Sequence, residues 1–278
     1  IALTCSLYKL LLMLLGHGQA AWQESFANFW DAAVKGSSPL QAALRRSLQS
    51  EVSVSLGLES VGIFWDVDSF FDSILLSKLV PLALKAGFPA RVLDLAMSVH
   101  SGCRRIKDRR AVSEPLFPQG CSILAGCTTS VDLSRCLLFD ILDNYHRAYR
   151  PSEISTWVDD LAQMMHGAGA AIVPTTVQGA LFLRQGLADL GLTVSEKTVI
   201  SASKMPLALE IQEQLALEDF HVKAAPVVKD LGCDNVVGGG RRVPVFNNRC
   251  NKAYLKAGVI KHLLKSCHSV RKLALTGV

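Results

Sequence analysis

Three carboxylates in this chain occupy places where an acid can do more than keep a surface wet. Asp66 closes the apolar run Val61-Gly62-Ile63-Phe64-Trp65, and Asp159 and Asp160 stand side by side after Ile154-Ser155-Thr156-Trp157-Val158. An acid that ends a buried strand lies at the edge of the sheet, where carboxylates from neighbouring strands can converge. Like charges brought together raise one another's pKa unless a cation neutralises them, and hard divalent ions such as Mg²⁺ prefer oxygen ligands. Two such ions, about 3.5–4 Å apart, can activate a hydroxyl nucleophile and stabilise the leaving oxygen of a phosphoryl transfer. Singly, the pieces have plainer explanations: an Asp-Asp pair also makes a solvated turn, and Asp66 or Asp72 also suits a helix cap. The order of the segments around them separates these readings.

The elements that must carry the acids follow from periodicity. Val61 to Val67 reads as a buried strand, and Ile154 to Met165 as a hairpin with the two acids at its tip. Leu10 to Leu15, then Phe26, Phe29, Trp30 and Ala33, fall at helical spacing, and Pro39 suits the start of a second helix carrying Leu40, Leu44 and Leu48. Helical patterns recur at 77–86 and 89–100, followed by a basic strand-like stretch at 105–112. A long amphipathic helix is expected from Ser130 to Tyr145, with Leu133, Leu137, Leu138, Ile141 and Leu142 on one side. Another helix at 176–190 leads to strand-like 192–194 and 197–200, a small hairpin at 227–232 and a basic helical region at 247–272. Strand, helices, hairpin, helix, strand is an α+β order, a ferredoxin-like antiparallel sheet with helices on one face.

Composition agrees with a folded chain: of 278 residues, 50% are hydrophobic and 19% charged, which excludes disorder and collagen-like sequence as descriptions of the whole. The net charge of +5 is modest, but positives cluster at Arg104, Arg105, Lys107, Arg109 and Arg110 and again from Arg241 onward, which favours a polyanionic partner. No apolar run approaches the ~18–20 residues needed to span a bilayer, so no membrane role is expected. A mean hydropathy of +0.28 and a first residue that is Ile1 rather than Met suggest a piece of something larger. The eight cysteines are scattered without CxxC or zinc spacing, which suggests free thiols in a reducing, intracellular compartment, nuclear or cytoplasmic.

In this order the segments resemble the palm of the reverse transcriptases, most closely the non-LTR retrotransposon and group II intron-like branch. Asp66-Val67-Asp68-Ser69-Phe70-Phe71-Asp72-Ser73-Ile74 is similar to that family's motif A, Phe117-Pro118-Gln119-Gly120-Cys121-Ser122 to motif B, and Trp157-Val158-Asp159-Asp160 to motif C. Gly191-Leu192-Thr193-Val194-Ser195-Glu196-Lys197-Thr198 resembles motif D, and Val228-Lys229-Asp230-Leu231-Gly232 the primer-grip hairpin called motif E. Each is weak alone; the ordered set, from about 63 to 233, is specific. Trp157 replaces the commoner Tyr or Phe, and Ala125-Gly126 stands where many relatives have Ser-Pro, but no metal ligand is lost.

The resemblance implies an RNA-directed DNA polymerase that uses two Mg²⁺ ions, or Mn²⁺, to join dNTPs to a primer 3′-OH on an RNA template, with a DNA or RNA primer. Asp66, Asp159, Asp160 and the carbonyl of Val67 would hold the metals. Gln119 and Gly120 would lie near nucleotide and template, and Lys197 near the pyrophosphate, where a plain surface lysine is the other reading. Phe71 would fill the space of a ribose 2′-OH, or be a core aromatic. Trp157, Leu231, Gly232, Lys252 and Lys256 would touch nucleic acid; Lys252/Lys256 and Lys261/Lys265 share helical spacing, as they would on a solvated helix. Residues 1–60 would be partial helical fingers, 61–235 the palm with an insertion at about 78–116, and 236–278 the start of a thumb. The missing fingers and thumb, and an endonuclease domain, would belong to a parent protein. Two rivals remain at this point: a domesticated or decayed palm that binds RNA or protein without catalysis, and a viral RNA polymerase, against which Phe71 and the absence of Gly-Asp-Asp weigh.

Overall fold

The structure is a computed structural model and describes residues 4–26, 28–108, 111–150, 152–238 and 243–266. In chain order the elements are α1 (Ser6–Phe26), α2 (Pro39–Ser55), β1 (Glu59–Trp65), α3 (Phe70–Ser73), α4 (Leu76–Lys85), α5 (Ala90–His100), β2 (Lys107–Asp108), β3 (Ala111–Val112) and α6 (Ser130–Ala148). There follow β4 (Ser152–Trp157), β5 (Asp160–Gly167), α7 (Ile172–Asp189), β6 (Val199–Ala202), α8 (Met205–Leu217), β7 (Lys223–Ala224), β8 (Val228–Asp230), β9 (Cys233–Asn235) and α9 (Pro244–Ser266).

The main sheet runs β4-β5-β1-β6-β7 and is antiparallel except for the parallel β6–β7 pair. Leaving β7 aside, the order β1-α6-β4-β5-α7-β6 is the βαββαβ pattern of the expected ferredoxin-like fold. β1 is central because it can be buried on both faces. Val61, Ile63 and Trp65 join the large core with α6, α7 and α8, whereas Phe64 turns to a smaller cluster with Ala162, Met164, Val228 and Val237. Gly62 is required there, since a Cβ would lie 2.9 Å from the Phe64 ring and 3.0 Å from the Met164 sulfur. α6 earns its place on the sheet by the predicted apolar side: Leu133, Leu137, Leu138, Ile141 and Leu142 are all buried. Tyr145 closes that layer, its hydroxyl 2.6 Å from Ser152 Oγ and burial pushing its pKa to about 12.

Three expectations need correction. The first helix stops at Phe26; Trp30 is buried and Asp31 bridges to Thr156 beside β4, so Phe29, Trp30 and Ala33 are not helical. α2 forms as expected, capped by Ser38 Oγ, but turned over: Leu40, Leu44, Leu48 and Val52 are 63%, 53%, 49% and 55% exposed, while Ala43, Arg46 and Ser50 face inward. The stretch 192–194 contributes a single bridge, Val194 to Val67, rather than a strand. α3, α8 and β7 were not expected. Arg109, Arg110, Arg241, Cys267 and the C-terminal part of the basic tail lie outside the described residues.

Candidate active site

The register of the sheet brings the acids to one edge. β1 and β5 pair Trp65 with Leu161, so the next step sets Asp66 across from Asp160. β4 and β5 close on the pair Trp157–Asp160, leaving Val158 and Asp159 as a two-residue turn. Val158 holds φ +62, a left-handed conformation costly for a β-branched residue and of the kind that concentrates at functional sites.

Behind Asp66 the backbone is tied to the segment around Ser195. Asp66 N–H donates to Thr198 Oγ1 at 3.2 Å, and its carbonyl accepts from Ser195 N at 2.7 Å. Asp68 N donates to Thr193 O at 2.9 Å, which makes Val67 and Val194 the non-hydrogen-bonded pair of this short ladder. The Val67 carbonyl therefore points away from Val194, toward the side of the sheet that carries β5.

The acids feel one another. Desolvation first, and then the charge of Asp66, hold the Asp159 carboxyl above its usual range, against a lowering hydrogen bond from its own backbone. Asp160, open to the adjacent cavity, is pushed to about 6 by desolvation and by Asp159 and Asp230, with Arg46 pulling it down. Among the described residues no group of three or more His, Cys, Asp or Glu stands close enough to form a ready-made ion cage. The donor set nonetheless suits a hard divalent cation: the ligands are oxygens, and a cation would offset the desolvation, and the smaller mutual repulsion, that raise these pKa values.

A cavity of about 750 Å³ opens beside the acids. Of the residues expected to act, Asp66, Trp157, Asp160, Lys197, Leu231, Gly232 and Lys252 line it. Asp159 occupies the turn above, and Val67 is buried next to Asp66. Lys256 is exposed one turn along α9 from Lys252, and the Lys265 side chain lies outside the described residues. Phe71 does not reach the cavity wall; it is half-buried, edge-on to Phe70 at 5.3 Å. Gln119 and Gly120 are also off the wall, in an exposed turn bound to the motif A region through Gly120 O to Leu76 N (3.0 Å) and Ile74 O to Ser122 N (2.9 Å). Arg104 braces that turn, donating to Ser122 Oγ at 2.8 Å, and Ser122 Oγ donates to Asp72 Oδ1 at 3.0 Å.

Sequence reasoning missed Lys229, Asn248, Arg249 and Arg46. The first three line the cavity, and Arg249 donates to Gly232 O at 2.6 Å, joining α9 to the β8–β9 turn. That turn, Leu231-Gly232, has φ +48 and +83, the type I′ pattern of a tight hairpin. Arg46 is buried against Asp230; its flanking small residues, Ala43 and Ser50, were the available signal.

No family model and no curated protein matches the chain. Among solved structures it is similar to apo telomerase from Candida tropicalis truncated from its C-terminal domain, with a TM-score of 0.53 and 12% identity over 81% of this chain and 44% of that one. It is also similar to Candida tropicalis telomerase in complex with a TWJ fragment of telomeric RNA, with a TM-score of 0.56 and 10% identity over 81% of this chain and 36% of that one. The chain thus spans less than half the length of these neighbours. At such identities the likeness is one of fold: an α+β, reverse-transcriptase-like palm.

Proposed function

We propose that this chain is the palm-centred part of an RNA-directed DNA polymerase from a retroelement of the non-LTR or group II intron-like branch. The observation that carries the reading is the arrival of Asp66, Asp159 and Asp160 at one sheet edge, beside a cavity lined by Lys197, Lys229, Arg249 and Lys252. The acids and the Val67 carbonyl are the groups that would hold two Mg²⁺ ions, with Mn²⁺ as a substitute. When bound, such ions supply activation of the primer 3′-OH and neutralisation of the triphosphate.

This chain's own residues do the rest. Lys197, exposed at the cavity rim, offers a proton and a charge to the leaving pyrophosphate. Trp157, Leu231 and Gly232 form the wall against which a primer end rests, and Lys252 and Lys256 meet backbone phosphates. Such contacts are tolerant of sequence and weaken with salt. Gln119, Gly120 and Phe71 stand off the wall of this cavity, and in this reading they serve the nucleotide and template side beyond it, Phe71 as the filter against ribonucleotides. Residues 1–60 act as partial fingers, 61–235 as palm and 236–278 as the start of a thumb. RNA binding is supported by the complex of one telomerase neighbour with a TWJ fragment of telomeric RNA; that the RNA bound here is a template is part of the proposal.

The purified chain is expected to extend a DNA primer on an RNA template with Mg²⁺ and dNTPs, and Asp159→Asn to abolish extension while its circular dichroism and melting stay those of a folded protein. A second reading, a non-catalytic RNA- or protein-binding palm, is favoured by one observation, the lack of a closed acid cage among the described residues. Binding of primer–template without extension, also in a chain lengthened on both sides, selects that reading.

A further inference from the structure

Arg46 lies behind the cavity, 3% exposed, on the inward side of α2. Its Nε donates to Ser155 Oγ in β4 at 2.9 Å, and its Nη1 to Asp230 Oδ1 in β8 at 2.6 Å. The other Asp230 oxygen accepts from Asn235 Nδ2 at 3.2 Å, and Arg46 Nη2 is buried without a partner. One guanidinium thus joins three elements. Ser155 lies two residues before Trp157 in the strand that ends at the acids, and Asp230 immediately precedes the Leu231-Gly232 turn.

From α9 the hairpin is held by Arg249, which donates to Gly232 O at 2.6 Å, and by Phe246 N, which donates to Asp234 Oδ2 at 2.9 Å; the Arg46 pair is its buried, inner tie. The apolar contact beneath the β8–β9 hairpin is the small cluster of Phe64, Ala162, Met164, Val228 and Val237. Apolar packing is non-directional, whereas a planar guanidinium fixes its partners in angle as well as distance. A buried ion pair can often be replaced by apolar residues without loss of stability, so stability alone does not account for it.

We propose that Arg46 is a positioning residue: through Asp230 and Ser155 it sets the distance between the Leu231-Gly232 turn and the Val158-Asp159 turn, and with it where a primer end meets the acids. This role rests on the polymerase reading.

The test compares wild type with Arg46→Met/Asp230→Leu, which keeps the packing, and with Arg46→Lys and Asp230→Asn, which keep charge or shape alone. Melting, amide exchange over 228–235 and steady-state primer extension are measured. The apolar pair is expected to melt close to wild type, to exchange about tenfold faster at Asp230 and Cys233, the pair that closes the turn, and to raise the KM for primer–template about tenfold with the KM for dNTP unchanged. Arg46→Lys and Asp230→Asn fall in between, since neither retains both the fork and the charge. If any folded variant only melts lower, with exchange at the turn and primer KM as in wild type, the ion pair is structural and the proposal is overturned. If wild type extends no primer, the polymerase reading fails on its own. Exchange at the turn and primer–template affinity by anisotropy then still decide the role of Arg46, unchanged values overturning it.

Discussion

Replacing Asp160 by Asn separates the crowding of the acids from any chemistry they perform. Desolvation, then the charges of Asp159 and Asp230, raise this carboxyl from 3.8 to about 6, with Arg46 opposing. At about 1.4 kcal/mol per pH unit, that displacement sets an upper bound of about 3 kcal/mol. Because the side chain is open to the cavity, solvent screening reduces the working figure to about 1 kcal/mol. The sign follows from proton counting. Between 3.8 and about 6 the folded chain binds more protons at this site than the unfolded chain does, so stability falls as pH rises through that window and stays lower above it. Asn cannot ionise and escapes the loss. Thermal melts in EDTA are expected to place Asp160→Asn about 2–4 °C above wild type at about pH 7.5, with the gap closing toward about pH 4. Distant carboxylates are common to both proteins and cancel in the comparison, while Asp159, Asp230 and Asp66, which repel Asp160, lose that repulsion in the variant and widen the gap at neutral pH. A gap that does not change with pH, or a wild type that melts higher at neutral pH, refutes the crowding of this edge.

The packing of α6 on α7 depends on Gly186, where a Cβ would stand 2.2 Å from Ile141 Cδ1 and 2.7 Å from Cγ1. Gly186→Ala is therefore expected to cost about 1–3 kcal/mol in urea denaturation despite the better helix propensity of Ala, and Ile141→Ala in the same background to cost less than the two singles added. Val158→Gly relieves a left-handed β-branched residue and should raise the urea midpoint by an equivalent of about 0.5–1 kcal/mol, a fall contradicting the strain. In primer extension, Phe71→Val is expected to lower discrimination against ribonucleotides about tenfold. Unchanged selectivity would leave Phe71 as a core aromatic packed on Phe70.

What was legible in the sequence was what local pattern alone determines. β1 could be read from an uninterrupted apolar run because both faces of a central strand are buried, and α6 from a clean stripe on one side. The acids could be placed because each follows an element end that register then brings together. α2 shows the limit: its leucine stripe predicts the core face, yet Arg46 faces inward because its partners, Ser155 and Asp230, lie over a hundred residues away in sequence. The same holds for Trp30 and Asp31, which look helical but are captured by β4 through Asp31 and Thr156. Pairings of that range leave no periodic trace. Lys229 and Arg249 were invisible for a related reason, since only the β8–β9 turn and the start of α9 bring them to the same cavity.

The account rests on Asp66, Asp159 and Asp160 serving one divalent-cation site, and the most direct measurement is the melting temperature with and without Mg²⁺. At about pH 7.5 and about 10 mM MgCl₂, wild type is expected to gain about 2–4 °C, as for any ligand that binds only the folded state. Asp66→Asn and Asp159→Asn should each remove that gain while still melting cooperatively. An equal gain in all three proteins, or none in wild type, contradicts a shared site.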